Sequence, residues 1–211
     1  HGSLSERYLL VGYPGLVAQA TLRALAAERA EVEVDVLVET AVQAERLAAD
    51  WPFARARLGR RDAVDLGLSG AEYMELARHG QRLIWCTEPT GCDGYTLEEC
   101  PALRSAAELV ELARVAKRLE AAVVLSSVLA LGDAQGRVLE SDLRVGQRFR
   151  QTVEEACAIG ESLVERASKD LPLTIARAGA ILGDGETGEC PVDGPLLRLV
   201  RGCEVAPRAR P

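Results

Sequence analysis

Tyr8-Leu9-Leu10-Val11-Gly12-Tyr13-Pro14-Gly15-Leu16-Val17-Ala18 opens the pattern of this chain. A short apolar run ends in a glycine, and from Leu16 to Ala27 apolar residues return at helical spacing among many alanines. This reads as strand, glycine turn, helix. Working outward, residues 32–38 are β-rich, 41–50 helical, and 53–58 a third strand candidate. The alternation continues with a helix over 70–78, a strand over 82–86, a helix over 103–119 and an apolar β run over 121–126. A helical pattern over 149–167 and a strand over 171–176 close it, before a glycine-rich loop at 183–188. Strands alternating with helices imply a Rossmann-like α/β domain: a doubly wound parallel sheet with helices on both faces, three layers in all.

Composition agrees with one such core. The 211 residues are 48% hydrophobic and 27% charged, which excludes disorder and fibrous repeats. A net charge of -7 argues against a nucleic-acid partner or an anionic membrane surface, and no apolar stretch reaches the roughly 20 residues that span a bilayer. His1-Gly2-Ser3 reads as a tag remnant, and 4–211 as a single domain whose end, from about 190, is loosely packed. An acidic chain with scattered cysteines and no export signal is expected to be cytoplasmic, with those cysteines reduced.

The six cysteines, Cys86, Cys92, Cys100, Cys157, Cys190 and Cys203, include no C-x-x-C pair, so no metal site is expected. His79 is the only histidine outside the leader, in the polar run 78–81, and reads as a solvated loop residue. Trp51 and Trp85 read as core or loop anchors, with Trp85 near any cofactor crevice. The Glu/Arg-rich faces at 108–120 and 154–166 read as ordinary solvated or packing faces.

Gly12 and Gly15, with Ala18, give a G-x-x-G-x-x-A spacing. Such a turn lets backbone approach a pyrophosphate at a helix N-terminus, and serves equally as a tight strand-to-helix connection. With Asp65-Leu66-Gly67-Leu68-Ser69, Ser126-Ser127 five residues before Gly132, and Arg177-Ala178-Gly179, these segments carry a resemblance. The chain resembles the extended short-chain dehydrogenase/reductases, in the branch of the thioester and fatty-acyl reductases, from about Tyr8 to Leu199.

The resemblance implies a dinucleotide site, NAD(H) or NADP(H), at Gly12, Gly15, Leu16, Val17 and Glu39. Glu39 would accept from a ribose diol and favour a cofactor without the 2′-phosphate. It also implies a Tyr-x-x-x-Lys pair on one helical face, the tyrosine giving a proton and the lysine lowering its pKa. This chain has Val153 and Cys157 there, and neither can do that work. Ser127 matches the substrate-orienting serine; Arg60 and Glu88 fall where an acidic and a small residue would flank the cofactor. The substrate lobe is expected to be reduced or absent.

The leading expectation is therefore a non-catalytic pseudo-enzyme that binds a protein partner, a second copy of itself or a nucleotide. Two alternatives stay open. One is an NAD(P)-dependent reductase of a thioester or fatty-acyl substrate using Tyr95 or Ser127 as proton donor; the other is a dinucleotide sensor without turnover. The helices near 103–119 and 148–167 would form the homodimer face by analogy.

Overall fold

The computed structural model describes residues 6–28, 31–86, 92, 94–188 and 190. One compact unit runs to Gly179, and a second begins at Ala180. In the first, β1 (Glu6–Val11), β2 (Val32–Val38), β3 (Ala54–Leu58), β4 (Arg82–Trp85), β5 (Ala121–Ser127) and β6 (Leu173–Ala178) form one sheet. Its order is β3-β2-β1-β4-β5-β6 and every pairing is parallel. The helices α1 (Leu16–Ala27), α2 (Ala41–Asp50), α3 (Gly70–His79), α4 (Pro101–Val115) and α5 (Thr152–Ala167) make the crossovers. This is the Rossmann-like α/β fold, with its switch point between β1 and β4.

Strand alternation sorts the core onto two faces. Leu10, Val34, Val36 and Val38 pack with Leu22 of α1 and Leu47 of α2. Leu9, Val11, Leu83, Trp85 and Val124 pack with Leu76 of α3, Leu109 and Leu112 of α4 and Val164 of α5. Successive residues Leu9 and Leu10 thus serve opposite layers, the period-2 pattern of a strand covered on both sides. The edge strand β3 carries Arg55 and Arg57 on one face, where both donate to Asp35 of β2, at 2.7 and 2.8 Å, and reach Glu75 of α3.

Between β3 and α3 the chain makes a left-handed turn: Asp65, Leu66 and Gly67 all have positive φ, 52°, 58° and 66°. Leu66 is fully buried there, its carbonyl accepting from the Arg60 N–H at 2.7 Å. The turn delivers the chain to Ser69, which caps α3 with Glu72 in a reciprocal box.

Several boundaries differ from the sequence reading. The helix expected over 103–119 is α4, which begins at Pro101 and ends at Val115, so that Leu119 can turn back onto the core. The pattern from Phe149 becomes helical only at Thr152, because Glu154 reaches back to accept from the Arg150 and Gln151 N–H groups at 2.6 and 3.3 Å. His79 is exposed but closes α3 rather than lying in a loop. The cysteines are not all free: Cys92 and Cys100 are disulfide-bonded. Within the face at 154–166, read as solvated or packing, Glu161 is on the packing side, being 3% exposed. Glu88 and the helix candidate at 195–200 lie outside the described residues.

Candidate functional site

The connection from β1 to α1 is Gly12-Tyr13-Pro14-Gly15. Gly12 has φ 121°, and a Cβ on it would run into the Cys86 carbonyl oxygen, so the position admits only glycine. The Gly15 N–H donates to the Gly12 carbonyl at 2.8 Å and closes the turn. Gly15 is also the N-cap of α1 and offers no side-chain oxygen to the helix, so the first-turn N–H groups are left for an outside acceptor.

Across a cleft of about 190 Å³ this turn faces Glu39, Gln43 and Arg61. The Glu39 N–H donates to Gln43 Oε1 at 2.8 Å, and the Gln43 N–H to Thr40 Oγ at 3.2 Å, which fixes the β2–α2 corner and leaves the Glu39 carboxylate exposed. The structure therefore brings Gly12, Gly15 and Glu39 together. Leu16 and Val17 open α1 beside them, and Val17 packs on the core. Arg61 was not singled out by the sequence reading, which stopped at its neighbour. Arg60 is exposed and pairs with Asp62 at 3.0 Å, while Arg61 lines the cleft. A glycine turn without room for a Cβ, an uncapped helix start and a carboxylate acceptor suit a pyrophosphate and a ribose diol.

On the other side of the switch point the residues expected to be catalytic are split. Ser127 ends β5 and its Oγ accepts from the Leu129 N–H at 3.2 Å. It lines a cavity of about 50 Å³ with Trp85, Cys157 and Glu161. At about 50 Å³ it has roughly a quarter of the volume of the cleft beside Gly12 and Gly15. Burial pushes the Cys157 thiol up to about 12, with the charges of Glu161 and Glu154 adding to it, so it is neither cationic nor a ready nucleophile. Val153, one turn earlier on α5, packs elsewhere: it joins Ala156 and the Cys92–Cys100 bridge in a separate apolar cluster. Tyr95 lies in the segment after β4 at 49% exposure.

The sequence reading missed the strongest polar feature near the site. Glu161 receives the Arg177 guanidinium at 2.7 Å and also a short hydrogen bond from the Ser126 hydroxyl. The pair joins α5, β5 and β6 and stands between the small cavity and a groove of about 550 Å³ along β6. A glutamate and an arginine sixteen residues apart give no local signal of pairing. Among the described residues no cluster of His, Cys, Asp or Glu could hold a metal ion, and no helix is long and apolar enough to cross a membrane.

The family model described as Male sterility protein, an NAD-binding family, matches residues 10–206. No curated protein sequence matches. Among solved structures, the chain is similar to the terminal R domain from the myxalamid PKS-NRPS biosynthetic pathway, at 21% identity and a TM-score of 0.81, over 96% of this chain and 56% of that one. It is similar to the reductase (R) domain of a nonribosomal peptide synthetase from Mycobacterium tuberculosis, at 19% identity and a TM-score of 0.69, over 88% and 50%. A thiolation-reductase di-domain from an archaeal non-ribosomal peptide synthetase gives 14% identity and a TM-score of 0.74, over 94% and 59%. The chain spans between about half and three fifths of the length of these structures.

Proposed function

The chain belongs to the male sterility protein family of NAD-binding domains, and from that premise we propose that it binds a dinucleotide in the Gly12–Gly15 cleft without carrying the proton-donating pair that carbonyl reduction needs. The observation that carries this reading is the state of α5. The helical face that would present tyrosine and lysine is formed, but it bears Val153, packed into an apolar cluster, and Cys157, a thiol held neutral by burial.

The cleft residues have separable tasks in this reading. Main chain at Gly12 and Gly15 takes the pyrophosphate, and the first turn of α1 adds N–H donors. Glu39 accepts from the adenosine ribose diol and disfavours a 2′-phosphate by like charge, which selects NAD(H) over NADP(H). When bound, the nicotinamide supplies a hydride; this chain offers no Tyr–Lys pair to match it with a proton. Occupancy would then be read by a protein partner or a second copy of the chain.

A titration of the purified chain with NADH and NADPH, followed by tryptophan fluorescence and calorimetry, tests this. NADH is expected to saturate in the micromolar range, about -8 kcal/mol, with no consumption on adding an acyl thioester. Absence of binding at millimolar NADH overturns the reading.

One observation favours a second reading, reduction of a thioester or fatty-acyl group. Ser127 Oγ accepts from Leu129, so its own proton is available to donate. Thioester-dependent NADH or NADPH oxidation that is lost in Ser127→Ala would establish it, and loss in Tyr95→Phe instead would assign the proton to Tyr95.

A further inference from the structure

Arg61 stands on a firmly held stretch of chain beside the cleft. Two residues before it, the Gly59 N–H donates to the Val38 carbonyl at the end of β2, at 2.9 Å. The Arg60 N–H donates to the Leu66 carbonyl at 2.7 Å, and the Ala63 N–H to the Arg60 carbonyl at 3.2 Å. A Cβ on Gly59 would strike the Leu66 carbonyl oxygen and the Leu37 side chain, so the exit of β3 is packed closely against its surroundings. The Arg61 side chain is half-buried and lines the cleft, yet it makes no hydrogen bond or ion pair among the described residues. Its sequence neighbours Arg60 and Asp62 are committed to each other at 3.0 Å, and neither lines the cleft. A guanidinium carries five N–H donors, and those of Arg61 are left for a ligand.

Sheet order gives these donors a place along that ligand. The strands β1, β2 and β3 lie side by side and parallel, so the turn after β1, Glu39 after β2 and Arg61 after β3 follow one another along one edge of the sheet. A nucleotide with its pyrophosphate on the Gly12–Gly15 turn and its ribose diol on Glu39 brings its base to the end of β3. Glu39 is the only acidic residue lining the cleft, and in this arrangement the ribose takes it. The base therefore meets a donor and no carboxylate.

We propose that Arg61 reads the purine base and favours a 6-oxopurine, hypoxanthine or guanine, over adenine. A 6-oxopurine presents two acceptors, O6 and N7, side by side, and the planar fork of an arginine meets both with N–H bonds. Adenine presents N7 beside its N6 amine, so one of the two arginine donors faces another donor. The inference rests on the dinucleotide reading of the cleft and deepens it by naming the base; NADH still binds, through its pyrophosphate, its ribose and N7.

The test is calorimetric titration of the full chain with NADH and with its hypoxanthine and guanine counterparts, the reduced nicotinamide dinucleotides that differ from it only in the base. The wild type is expected to bind at least one 6-oxo counterpart about tenfold more tightly than NADH, and the tighter of the two names the base. In Arg61→Ala that ratio should fall to about one, chiefly through weaker binding of the 6-oxo counterparts. Arg61→Lys keeps the charge without the fork and should lose the ratio too, while holding NADH more nearly as the wild type does. Because Arg61 makes no polar contact with the described residues, both variants are expected to keep the wild-type Tm; if Arg61→Ala does not fold, Arg61→Lys decides. NADH bound as tightly as both counterparts by the wild type, or a ratio unchanged in the variants, overturns this proposal and leaves the dinucleotide reading standing. Absence of binding by all three at millimolar concentration overturns the dinucleotide reading and this proposal with it.

Discussion

Arg177 on β6 grips both carboxylate oxygens of Glu161 in the middle of α5, with Nη2 2.7 Å from Oε2 and Nε 3.1 Å from Oε1. Glu161 is 3% exposed, while Arg177 is 17% exposed and lines the groove along β6, and the carboxylate beside the guanidinium raises its pKa further. Removing one partner strands the other's charge. Glu161→Leu alone or Arg177→Leu alone is expected to cost about 3–5 kcal/mol, and the double change to recover much of that loss. Urea denaturation of the three variants checks it, and a double variant as unstable as the singles would refute the pairing.

Gly12→Ala confronts two obstacles, a φ of 121° and the Cys86 carbonyl oxygen in the path of the new methyl group. The backbone strain alone is worth about 1–3 kcal/mol. A lowered denaturation midpoint and a parallel fall in NADH affinity are expected. Equal stability and unchanged binding would mean that the turn is not the rigid cradle described.

Restoring the missing pair should not restore chemistry. In Val153→Tyr/Cys157→Lys, the tyrosine enters the cluster filled by the Cys92–Cys100 bridge, and the lysine enters a cavity of about 50 Å³. Overpacking of this kind costs about 1–3 kcal/mol. The expected result is a lower Tm and NADH oxidation at background with an acyl thioester; turnover by this variant would show that the wall yields more easily than its packing implies.

Cys157 gives stability a defined alkaline limb. Its thiol is moved from 9.0 in an unfolded chain to about 12 in the fold, chiefly by burial. The native state therefore keeps a proton that the unfolded state loses, a contribution fully present below about pH 9 and lost as pH rises toward 12. Cys157→Ala should flatten the decline of stability over that window. Iodoacetamide at pH 8 should label Cys157 at least about tenfold more slowly than exposed Cys190, which peptide mapping reads directly.

The fold was legible because most strands carry apolar runs closed by a glycine or a polar break, and α1, β2 and α2 fall on the expected residues. Local spacing also delivered the Gly12–Gly15 turn, and Glu39, which the resemblance implied, lines the same cleft. It misplaced the end of α4 because Lys117 and Arg118 continue a helical pattern that the return to β5 cuts off. It missed the Cys92–Cys100 bridge because the cysteines were expected to be reduced, and it missed the Glu161–Arg177 pair and the facing of Arg61 for another reason. These two depend on which strand ends the sheet order makes neighbours, and a charged residue such as Glu161 on a periodic helix reads as solvated until its long-range partner is known.

The turn at Asp65 and Leu66 has a meaning for anyone wishing to engineer this scaffold. Two residues with side chains hold left-handed dihedrals in succession, and a Cβ on Gly59 would strike the Leu66 carbonyl, so neither Leu66 nor Gly59 is free to change. Asp65 alone is exposed, and Asp65→Gly or Asp65→Asn would adopt the same dihedral more readily. The segment is thus a reserve of thermal headroom built into the native chain, which can be released without touching either the cleft or the core.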